Sequence, residues 1–253
     1  DVLLDAAAFV PTNRLDLSRW KADFVAVSFY KIFGYPTGVG ALVARRVALE
    51  KLHRPWFAGG TITVASVQAD KYYLAEGAEG FEDGTLNYAC LPAVETGIEF
   101  IESIGMETIH DRVMCLTDYM LEQLVGLRHG NGRPMVRIYG PADTKGRGGT
   151  IALNIYTAGG TMIDHRIVEE RAAKRNISLR TGCFCNPGAG ELALGLSKGE
   201  MIRCLQSPGS RMSLEEFWQC IDGKSNGAVR LSLGIVSNYN DARRALDFIR
   251  EFR

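Results

Sequence analysis

The sequence predicts an α/β fold, with part of a large domain built on a mostly parallel sheet and a smaller α+β domain after it. Short apolar runs that do not alternate with polar residues are typical of strands covered on both faces. Two long helical patterns follow these runs, and strand-like and helix-like segments then alternate to the end of the chain. The apolar runs that predict strands in the first part lie at residues 2–4, 24–28 and 40–44.

The chain is expected to divide near residue 128. Two consecutive helices are predicted between residues 93 and 127, and a stretch rich in Gly with a Pro at its end, 129–134, stops the second one. We therefore predict a large domain over residues 1–128 and a small C-terminal domain over 129–253. Because the chain opens on Asp1 inside an apolar run, the N-terminal portion of the large domain is expected to be missing.

The finer pattern gives three local expectations. Residues 53–87 are Gly-rich without a clear period, which is typical of a long functional loop. A short strand is expected at 177–179, and a closing helix at 239–252 is expected to be capped by Asn240 or Asp241.

Composition favours an ordinary soluble domain. The 253 residues include 29 basic and 29 acidic side chains, with no long block of either sign, so a nucleic acid or a membrane surface is not expected as partner. Six irregularly spaced cysteines are too few for a disulfide scaffold, and a reducing, cytoplasmic setting is predicted. Cys90 and Cys115 lie in or beside apolar helical patterns and are expected to be core residues.

Lys31 is the first candidate for chemistry. It follows the strand predicted at 24–28 and precedes a stretch rich in Gly and Pro, 34–40. Partial burial there would lower the pKa of its amine and make it a nucleophile toward an aldehyde. The alternative is a lysine that extends from a strand end into water.

Asp5 and the Gly84–Thr85 pair offer complementary groups. Asp5 ends the first predicted strand, where a carboxylate could pair with a protonated pyridine nitrogen. Gly84 and Thr85 offer a backbone N–H and a hydroxyl to a phosphate. Both features have a structural alternative, since Asp and Gly are also common in turns.

The stretch from Arg180 to Gly188 places Cys183 and Cys185 on one loop. If the loop is extended, both side chains lie on the same side. A thiolate there can act as a nucleophile or carry sulfur as a persulfide. The alternative is half of a metal site, but no second Cys/His pair with zinc-finger spacing is present.

Arg230 lies in the otherwise apolar strand predicted at 228–233. Its charge is costly there unless it meets an anion. A substrate carboxylate bound in a bidentate manner would supply one. A salt bridge to a nearby Asp or Glu is the alternative.

In chain order these segments resemble the class V aminotransferase and cysteine desulfurase family, which has the type I fold of pyridoxal-phosphate (PLP)-dependent transferases. The shared order is a strand-end Asp, Ser-x-x-Lys, Gly-Thr, Arg-Thr-Gly-x-x-Cys and Arg-x-Ser, and it spans nearly the whole chain. Within the family, segments 4–12, 28–38 and 180–188 are most similar to the N-terminal domain of molybdenum cofactor sulfurases.

The resemblance implies a role for each candidate residue. Lys31 would bind pyridoxal 5'-phosphate covalently and then move the substrate's α-proton, and Cys185 would take the sulfur of L-cysteine as a persulfide while alanine leaves. Asp5 would keep the pyridine nitrogen protonated, and Arg230 would bind the substrate carboxylate. The phosphate contacts would be Ser28 and Tyr30 from the same subunit and Gly84 and Thr85 from its neighbour in a homodimer.

The chain also departs from the family pattern. Ala8 stands where relatives usually carry a Gln near the cofactor, and Gly190 where the sulfurases often have a third cysteine. The upstream ring-stacking residue, the Gly-rich phosphate loop and the domain that binds molybdenum cofactor are not in this sequence. The expected function is sulfur transfer from L-cysteine to an acceptor such as molybdenum cofactor. The alternatives are a general cysteine desulfurase or selenocysteine lyase, and a non-catalytic scaffold of the same fold.

Overall fold

A computed structural model describes residues 1–206, 211–221 and 227–253, and the chain forms two compact units, Asp1–His110 and Asp111–Arg253. The boundary between the units falls within helix α4 (Met106–Gly126). The domain boundary at residue 128 lies just beyond that helix and stays a prediction.

Unit 1 contains a three-stranded sheet of order β1 (Leu3–Asp5), β2 (Phe24–Ser28), β3 (Gly40–Ala44). Strands β1 and β2 are parallel and β3 is antiparallel to β2. Gly40 lies opposite Ser28, and a Cβ atom at Gly40 would lie 2.6 Å from the carbonyl oxygen of Val27. A glycine is therefore required for β3 to approach β2 this closely.

The predicted strands are in place, but the expectation that they are covered on both faces is wrong for unit 1. Val25 is buried, whereas Leu3 is 65% exposed and Leu42 is 56% exposed. An apolar run shows that both faces of a strand can be buried. Whether they are buried depends on which other elements pack against the strand. Unit 1 by itself does not cover these side chains.

Unit 1 also contains short helices, a hairpin and one long helix. The loop predicted at 53–87 is wrong in part, because it includes a β-hairpin with a register shift between Ile62 and Val64 and a 3-10 turn at Gly77–Phe81. The remaining elements are α1 (Phe29–Phe33), α2 (Arg46–Leu49), β4 (Ile62–Ser66), β5 (Lys71–Leu74), α3 (Leu91–Ile104) and the start of α4.

Unit 2 is built on a four-stranded antiparallel sheet of order β6-β7-β9-β8. Strand β8 lies three residues later than the strand predicted at 177–179, because Ile177 and Leu179 pack against the core outside the sheet ladder. The strands are β6 (Val136–Tyr139), β7 (Thr150–Ile155), β8 (Arg180–Gly182) and β9 (Ala228–Ser232); the helices after α4 are α5 (His165–Lys174), α6 (Pro187–Leu194), α7 (Lys198–Leu205), α8 (Leu214–Cys220) and α9 (Tyr239–Arg250).

The main core of unit 2 is one cluster to which α4, β7, α5, β9 and α9 all contribute buried side chains. Most of its largest fully buried members lie on α4, β7 and α9, and Met135 and Val168 complete the set. Those on the three elements are Met120, Leu121 and Leu124 on α4, Ile151, Leu153 and Ile155 on β7, and Leu246 and Ile249 on α9.

Helix α9 is capped by Asn238, so the prediction of Asn240 or Asp241 as the cap is wrong. The Asn238 side chain accepts hydrogen bonds from the backbone N–H groups of Asn240 and Asp241. The Asp241 carboxylate in turn accepts from the backbone N–H of Asn238, at 3.1 Å. Asp241 is therefore the second member of a capping box.

A disulfide between Cys204 and Cys220 joins α7 to α8, beside a small cluster that includes Leu196 and Ile221. The sequence predicts no disulfide scaffold, and one bond between two consecutive helices is not a scaffold, but the pairing of Cys204 with Cys220 was not predicted. Cys115 is exposed and Cys90 only half-buried, so their assignment to the core is also wrong. Among the described residues, no helix combines the length and apolar character needed to span a membrane.

Candidate active site

Three polar groups lie at one edge of the sheet in unit 1. Asp5 ends β1 and pairs with Ala26 on the parallel strand β2, which continues for two residues to Ser28. Helix α1 begins directly after Ser28 and carries Lys31. In α/β proteins, ligands bind beyond the carboxyl ends of parallel strands. The fold of unit 1 therefore brings a carboxylate, a hydroxyl and an amine to the edge where a ligand is expected.

Lys31 is exposed and lies within α1, so the expectation that it is partly buried is not met. The helix begins immediately after the strand, so Lys31 lies three residues beyond the last residue of β2. The Lys31 Nζ atom lies 5.9 Å from the centroid of the neighbouring Tyr30 ring. The amine is accessible to an incoming aldehyde.

Ser28 and Tyr30 present hydroxyl groups on either side of the start of α1. Ser28 occupies the N-cap position, yet within the described part of the chain its side chain makes no capping hydrogen bond. Tyr30 is exposed. The Ser28 hydroxyl is thus not committed to the helix end, as a phosphate contact requires.

Asp5 is exposed, and its Oδ1 atom accepts a hydrogen bond from the backbone N–H of Ala7 at 3.0 Å. This is the turn-forming role that the sequence left open as an alternative. A carboxylate has a second oxygen, so the local turn leaves Oδ2 as an acceptor for a ligand.

Gly84 and Thr85 are exposed, and the backbone of Gly84 is in the left-handed region with φ +72. The Gly84 N–H donates to the carbonyl of Gly59 at 3.1 Å. That amide is therefore already used within unit 1, which leaves the Thr85 hydroxyl as the phosphate contact that this pair can offer.

The loop after β8, here called the thiol loop (residues 183–186), is a tight turn rather than an extended segment. Phe184 and Cys185 both have positive φ, at 54 and 59. The Asn186 N–H donates to the Cys183 carbonyl at 3.0 Å, and the Asn186 side chain caps α6. The sequence-based placement of both thiols on one side assumed an extended loop, and that condition is not met.

The two thiols have different surroundings. Both are exposed, but Cys183 lines a cavity of about 310 Å³ together with Phe184 and Tyr139. Cys183 also lines a second cavity, of about 490 Å³, with Phe217 on its wall. Cys185 lines neither cavity. Cys185 is thus an exposed thiol that lies outside both of these cavities.

Arg230 lies on β9, an interior strand of the sheet, opposite Ala152 on β7 and Arg180 on β8. Its Nε atom is buried and has no hydrogen-bond partner among the described residues. Its Cζ atom lies 5.1 Å from the centroid of the Phe184 ring. In the described ranges no carboxylate forms an ion pair with Arg230, so the salt-bridge alternative has no support there.

A buried N–H group without a partner costs about 1–3 kcal/mol. Two guanidinium groups at directly opposite positions of neighbouring strands also repel each other. An anion held between Arg180 and Arg230, which lie opposite each other, would relieve both effects. The structure therefore gives Arg230 the properties of an anion-binding group, and it places that group in contact with the thiol loop.

The sequence offers His165 only as a possible ligand beside the cysteine pair, where it forms no metal-site pattern. It is buried at the start of α5, and its Nδ1 atom has no hydrogen-bond partner within the described residues. A Cβ atom at Gly227 would lie 2.8 Å from the His165 ring and 2.9 Å from the Cα atom of Gly182. His165 and the start of the thiol loop thus meet at Gly227, a tertiary contact that leaves no signal in the sequence.

Within the described chain, no group of three or more His, Cys, Asp or Glu side chains is arranged to hold a metal ion. Asp5, Ser28, Tyr30, Lys31, Gly84 and Thr85 all belong to unit 1, and Cys183, Cys185 and Arg230 all belong to unit 2. The candidates for holding the cofactor thus lie in unit 1, and the two thiols and Arg230 lie in unit 2.

Known relatives cover nearly all of this chain. This chain is 38% identical over 252 residues to the molybdenum cofactor sulfurase of Solanum lycopersicum. The aligned region covers 98% of this chain and 30% of that protein. This chain is 39% identical to the Homo sapiens molybdenum cofactor sulfurase, over 100% of this chain and 29% of that protein. The chain thus spans about 30% of the length of these relatives.

Solved structures share the fold. A cysteine desulfurase from Thermococcus onnurineus, solved in its apo form, superposes with a TM-score of 0.71 at 24% identity, over 98% of this chain and 51% of that one. The cysteine desulfurase CsdA of Escherichia coli superposes with a TM-score of 0.70 at 16% identity, over 99% of this chain and 51% of that one.

The predicted type I fold of PLP-dependent transferases is confirmed by these structures. The aminotransferase class-V family matches this chain over residues 2–244, nearly its whole length. This chain therefore belongs to the aminotransferase class-V family.

Proposed function

We propose that this chain carries the reactive lysine and thiol of a pyridoxal-phosphate-dependent cysteine desulfurase-type sulfurtransferase. The enzyme would move sulfur from L-cysteine to Cys185 and then to an acceptor such as molybdenum cofactor. Support comes from relatives named molybdenum cofactor sulfurase and from cysteine desulfurases that share the fold.

One observation carries the proposal. Arg230, whose buried Nε lacks a hydrogen-bond partner among the described residues, is in contact with Phe184 between the two thiols. An anion-binding group and a thiol are thus neighbours in unit 2. L-Cysteine carries a carboxylate for the guanidinium and a sulfur for the thiolate to attack, which fits this pairing.

The residues of unit 1 fit pyridoxal phosphate by their chemistry. Lys31 offers an accessible amine to the aldehyde, and Asp5 a carboxylate oxygen to the pyridine nitrogen. Ser28 offers a hydroxyl that is not committed to the helix end, which suits a phosphate. When bound, this cofactor supplies an electron sink for negative charge at the substrate's α-carbon.

The remaining steps belong to side chains of the chain itself. Arg230 would hold the carboxylate of L-cysteine through paired N–H donors. The Lys31 amine would take up the α-proton and return it. The Cys185 thiolate would attack the substrate sulfur, so that an S–S bond forms as the C–S bond breaks. The electron pair of that bond would stay on carbon, which takes up a proton, and alanine would leave.

Alanine release from L-cysteine tests the proposal. Cys185→Ser is expected to abolish sulfur transfer and alanine release while the visible absorption of bound cofactor is retained. Cys183→Ser is the matched control on the same loop and is expected to keep most of the activity. Full alanine release by Cys185→Ser would overturn the assignment of the thiol, and loss of cofactor absorption would show a structural role instead.

A general cysteine desulfurase or selenocysteine lyase is the second candidate, favoured by the cysteine desulfurases that share the fold. The identity of the sulfur acceptor distinguishes the two functions. Persulfide transfer to molybdenum cofactor supports the first function, and transfer only to small thiols or other proteins supports the second. A protein that neither binds the cofactor nor releases alanine would be a scaffold.

A homodimer belongs to the same proposal, because the family resemblance assigns Gly84 and Thr85 to the neighbouring subunit's phosphate. The exposure of Thr85 in unit 1 supports this assignment. Light scattering of the cofactor-loaded protein is expected to give twice the mass of one chain, and a monomer of full activity would rule out the shared site.

A further inference from the structure

We propose that Phe184 is a positioning residue that couples the thiol loop to Arg230, so that carboxylate binding and the placement of Cys185 depend on each other. The inference rests on the proposed roles of Arg230 and Cys185. Phe184 itself contacts neither substrate nor cofactor in this account; it acts through the two residues beside it.

Phe184 and Arg230 are in direct contact. The Arg230 Cζ atom lies over the Phe184 ring, 5.1 Å from its centroid, which is within cation–π range. Arg230 belongs to β9, which is bonded to a strand on each side and contributes to the main core of unit 2. The thiol loop is therefore in contact with an interior strand of the sheet.

The Phe184 ring and a carboxylate do not compete for the same part of the Arg230 guanidinium. A cation–π contact uses the delocalised charge of the guanidinium, whereas a carboxylate takes its N–H donors. The buried Nε of Arg230 has no partner among the described residues although the ring is in place. Arg230 is thus able to hold Phe184 and an anion at the same time.

The backbone of the thiol loop has an unfavourable conformation at two successive residues. Phe184 and Cys185 are successive non-glycine residues with positive φ, at 54 and 59, and each such residue costs about 1–2 kcal/mol. Such conformations persist when surrounding contacts hold them. The ring contact with Arg230 is one, and the hydrogen bond from Asn186 to the Cys183 carbonyl is another. When the ring contact is lost, Cys185 is expected to leave this conformation.

A plainer role for Phe184 is to fill space, since it lines the cavity of about 310 Å³ beside Cys183. The two roles predict different results for different substitutions. Phe184→Leu keeps most of the apolar volume but has no ring, so it preserves the space-filling role and removes the cation–π contact. Phe184→Tyr keeps the ring and therefore preserves both roles.

The test is the rate at which iodoacetamide alkylates Cys185 in the folded chain, followed by peptide mass mapping. Phe184→Leu is expected to change this rate about fivefold, in line with the strength of a partly desolvated cation–π pair, and Phe184→Tyr to restore it to within about twofold. Arg230→Gln is expected to give a similar change. The double variant is expected to show no further change, because both substitutions remove the same contact.

Two controls are built into the chain. Alkylation of exposed Cys115 on α4 is expected to be the same in every variant. Phe252→Leu removes another cation–π contact of unit 2, in which Arg171 Cζ lies 4.8 Å from the Phe252 ring, and is expected to leave Cys185 unchanged.

A rate within about twofold of wild type in folded Phe184→Leu would overturn the coupling, and so would additive effects in the double variant. The readout needs neither pyridoxal phosphate nor L-cysteine. Failure of the proposed function would appear as absent alanine release, whereas failure of this inference would appear in the alkylation rates.

Discussion

His165 is 6% exposed and lies where the first turn of α5 meets the strand that leads into the thiol loop. Burial lowers the pKa of His165 below its ordinary value, although the nearby carboxylates of Asp164 and Glu169 act in the opposite direction. The neutral imidazole is therefore the form that the folded unit favours.

The sign of the pH effect follows from this shift. Unfolded His165 takes up a proton at higher pH than the folded residue does, so the free energy of unfolding is expected to fall as the pH drops through about 6.5. Denaturant unfolding at about pH 7.5 and about pH 5.5 measures the loss, above the range in which carboxylates titrate. His165→Gln is expected to flatten the dependence, and an unchanged slope in that variant would assign the effect to other groups.

At the residue scale, the sequence predicted positions better than environments. Asp5 was placed at a strand end by the apolar run before it, and β1 does end there. Lys31 was predicted to follow the strand at 24–28, and the structure places it three residues beyond the end of β2, within α1. The exposure of Lys31 and the contact between Arg230 and Phe184 depend on how the chain turns after a strand. Such turns are decided by tertiary packing, which a one-dimensional pattern does not contain.

At the scale of an element, the N-cap side chain of Asn238 stabilises the start of helix α9. Asn238→Ala removes the capping side chain and is expected to destabilise unit 2 by about 1 kcal/mol in thermal or denaturant unfolding. Asn240→Ala, two residues later, is the matched control, since the Asn240 backbone N–H makes the capping contact and its side chain does not. Equal losses in the two variants would contradict the assignment of the cap.

Helix α1, which carries Lys31, packs against α3 through Phe33 and Gly97. A Cβ atom at Gly97 would lie 2.4 Å from the Phe33 ring. Gly97→Ala is therefore expected to displace Phe33 and to destabilise unit 1 by about 1 kcal/mol, although alanine is the better helix former.

Gly126→Ala is the control for that substitution, because nothing lies within 4 Å of a Cβ atom at this position in the last turn of α4. It is expected to be neutral or slightly stabilising in the same unfolding measurement. Stabilisation by Gly97→Ala would show that the ring gives way at no cost.

The elements that the sequence predicted well are the long periodic ones. Helices α3 and α4 begin and end within about two residues of the prediction. The hairpin of β4 and β5 was missed because β4 is largely exposed and its register shifts near Val64, so no apolar alternation marks it. The strand was predicted at 177–179 instead of at β8 because Ile177 and Leu179 are apolar. These two side chains pack against the main core of unit 2 and not in the sheet ladder.

At the scale of the whole molecule, the Cys204–Cys220 disulfide is the one covalent link that the structure shows between elements of the described chain, and it closes a sequence separation of 16 residues. A closed loop of this size is worth about 3 kcal/mol by chain entropy. Reduction, or Cys204→Ser, is expected to weaken hydrogen-exchange protection of α7 far more than that of α9. Cys115→Ser is the control, and unchanged protection of α7 after reduction would contradict a stabilising role for the disulfide.

The order of the candidate residues along the whole chain was the strongest signal in the sequence. It predicted the family that residues 2–244 match and the fold shared with cysteine desulfurases. The exposure of Leu3 and Leu42 was not predictable, because it depends on what covers the sheet rather than on the strands themselves.

Covalent cofactor chemistry at Lys31 is tested most directly by borohydride trapping of the chain with stoichiometric pyridoxal phosphate, followed by peptide mapping. We predict one pyridoxyl group on the peptide that contains Lys31, none in Lys31→Arg, and full labelling in Lys21→Arg, a control at another exposed lysine of unit 1. Absence of label, or label that persists in Lys31→Arg on other lysines, would contradict the account.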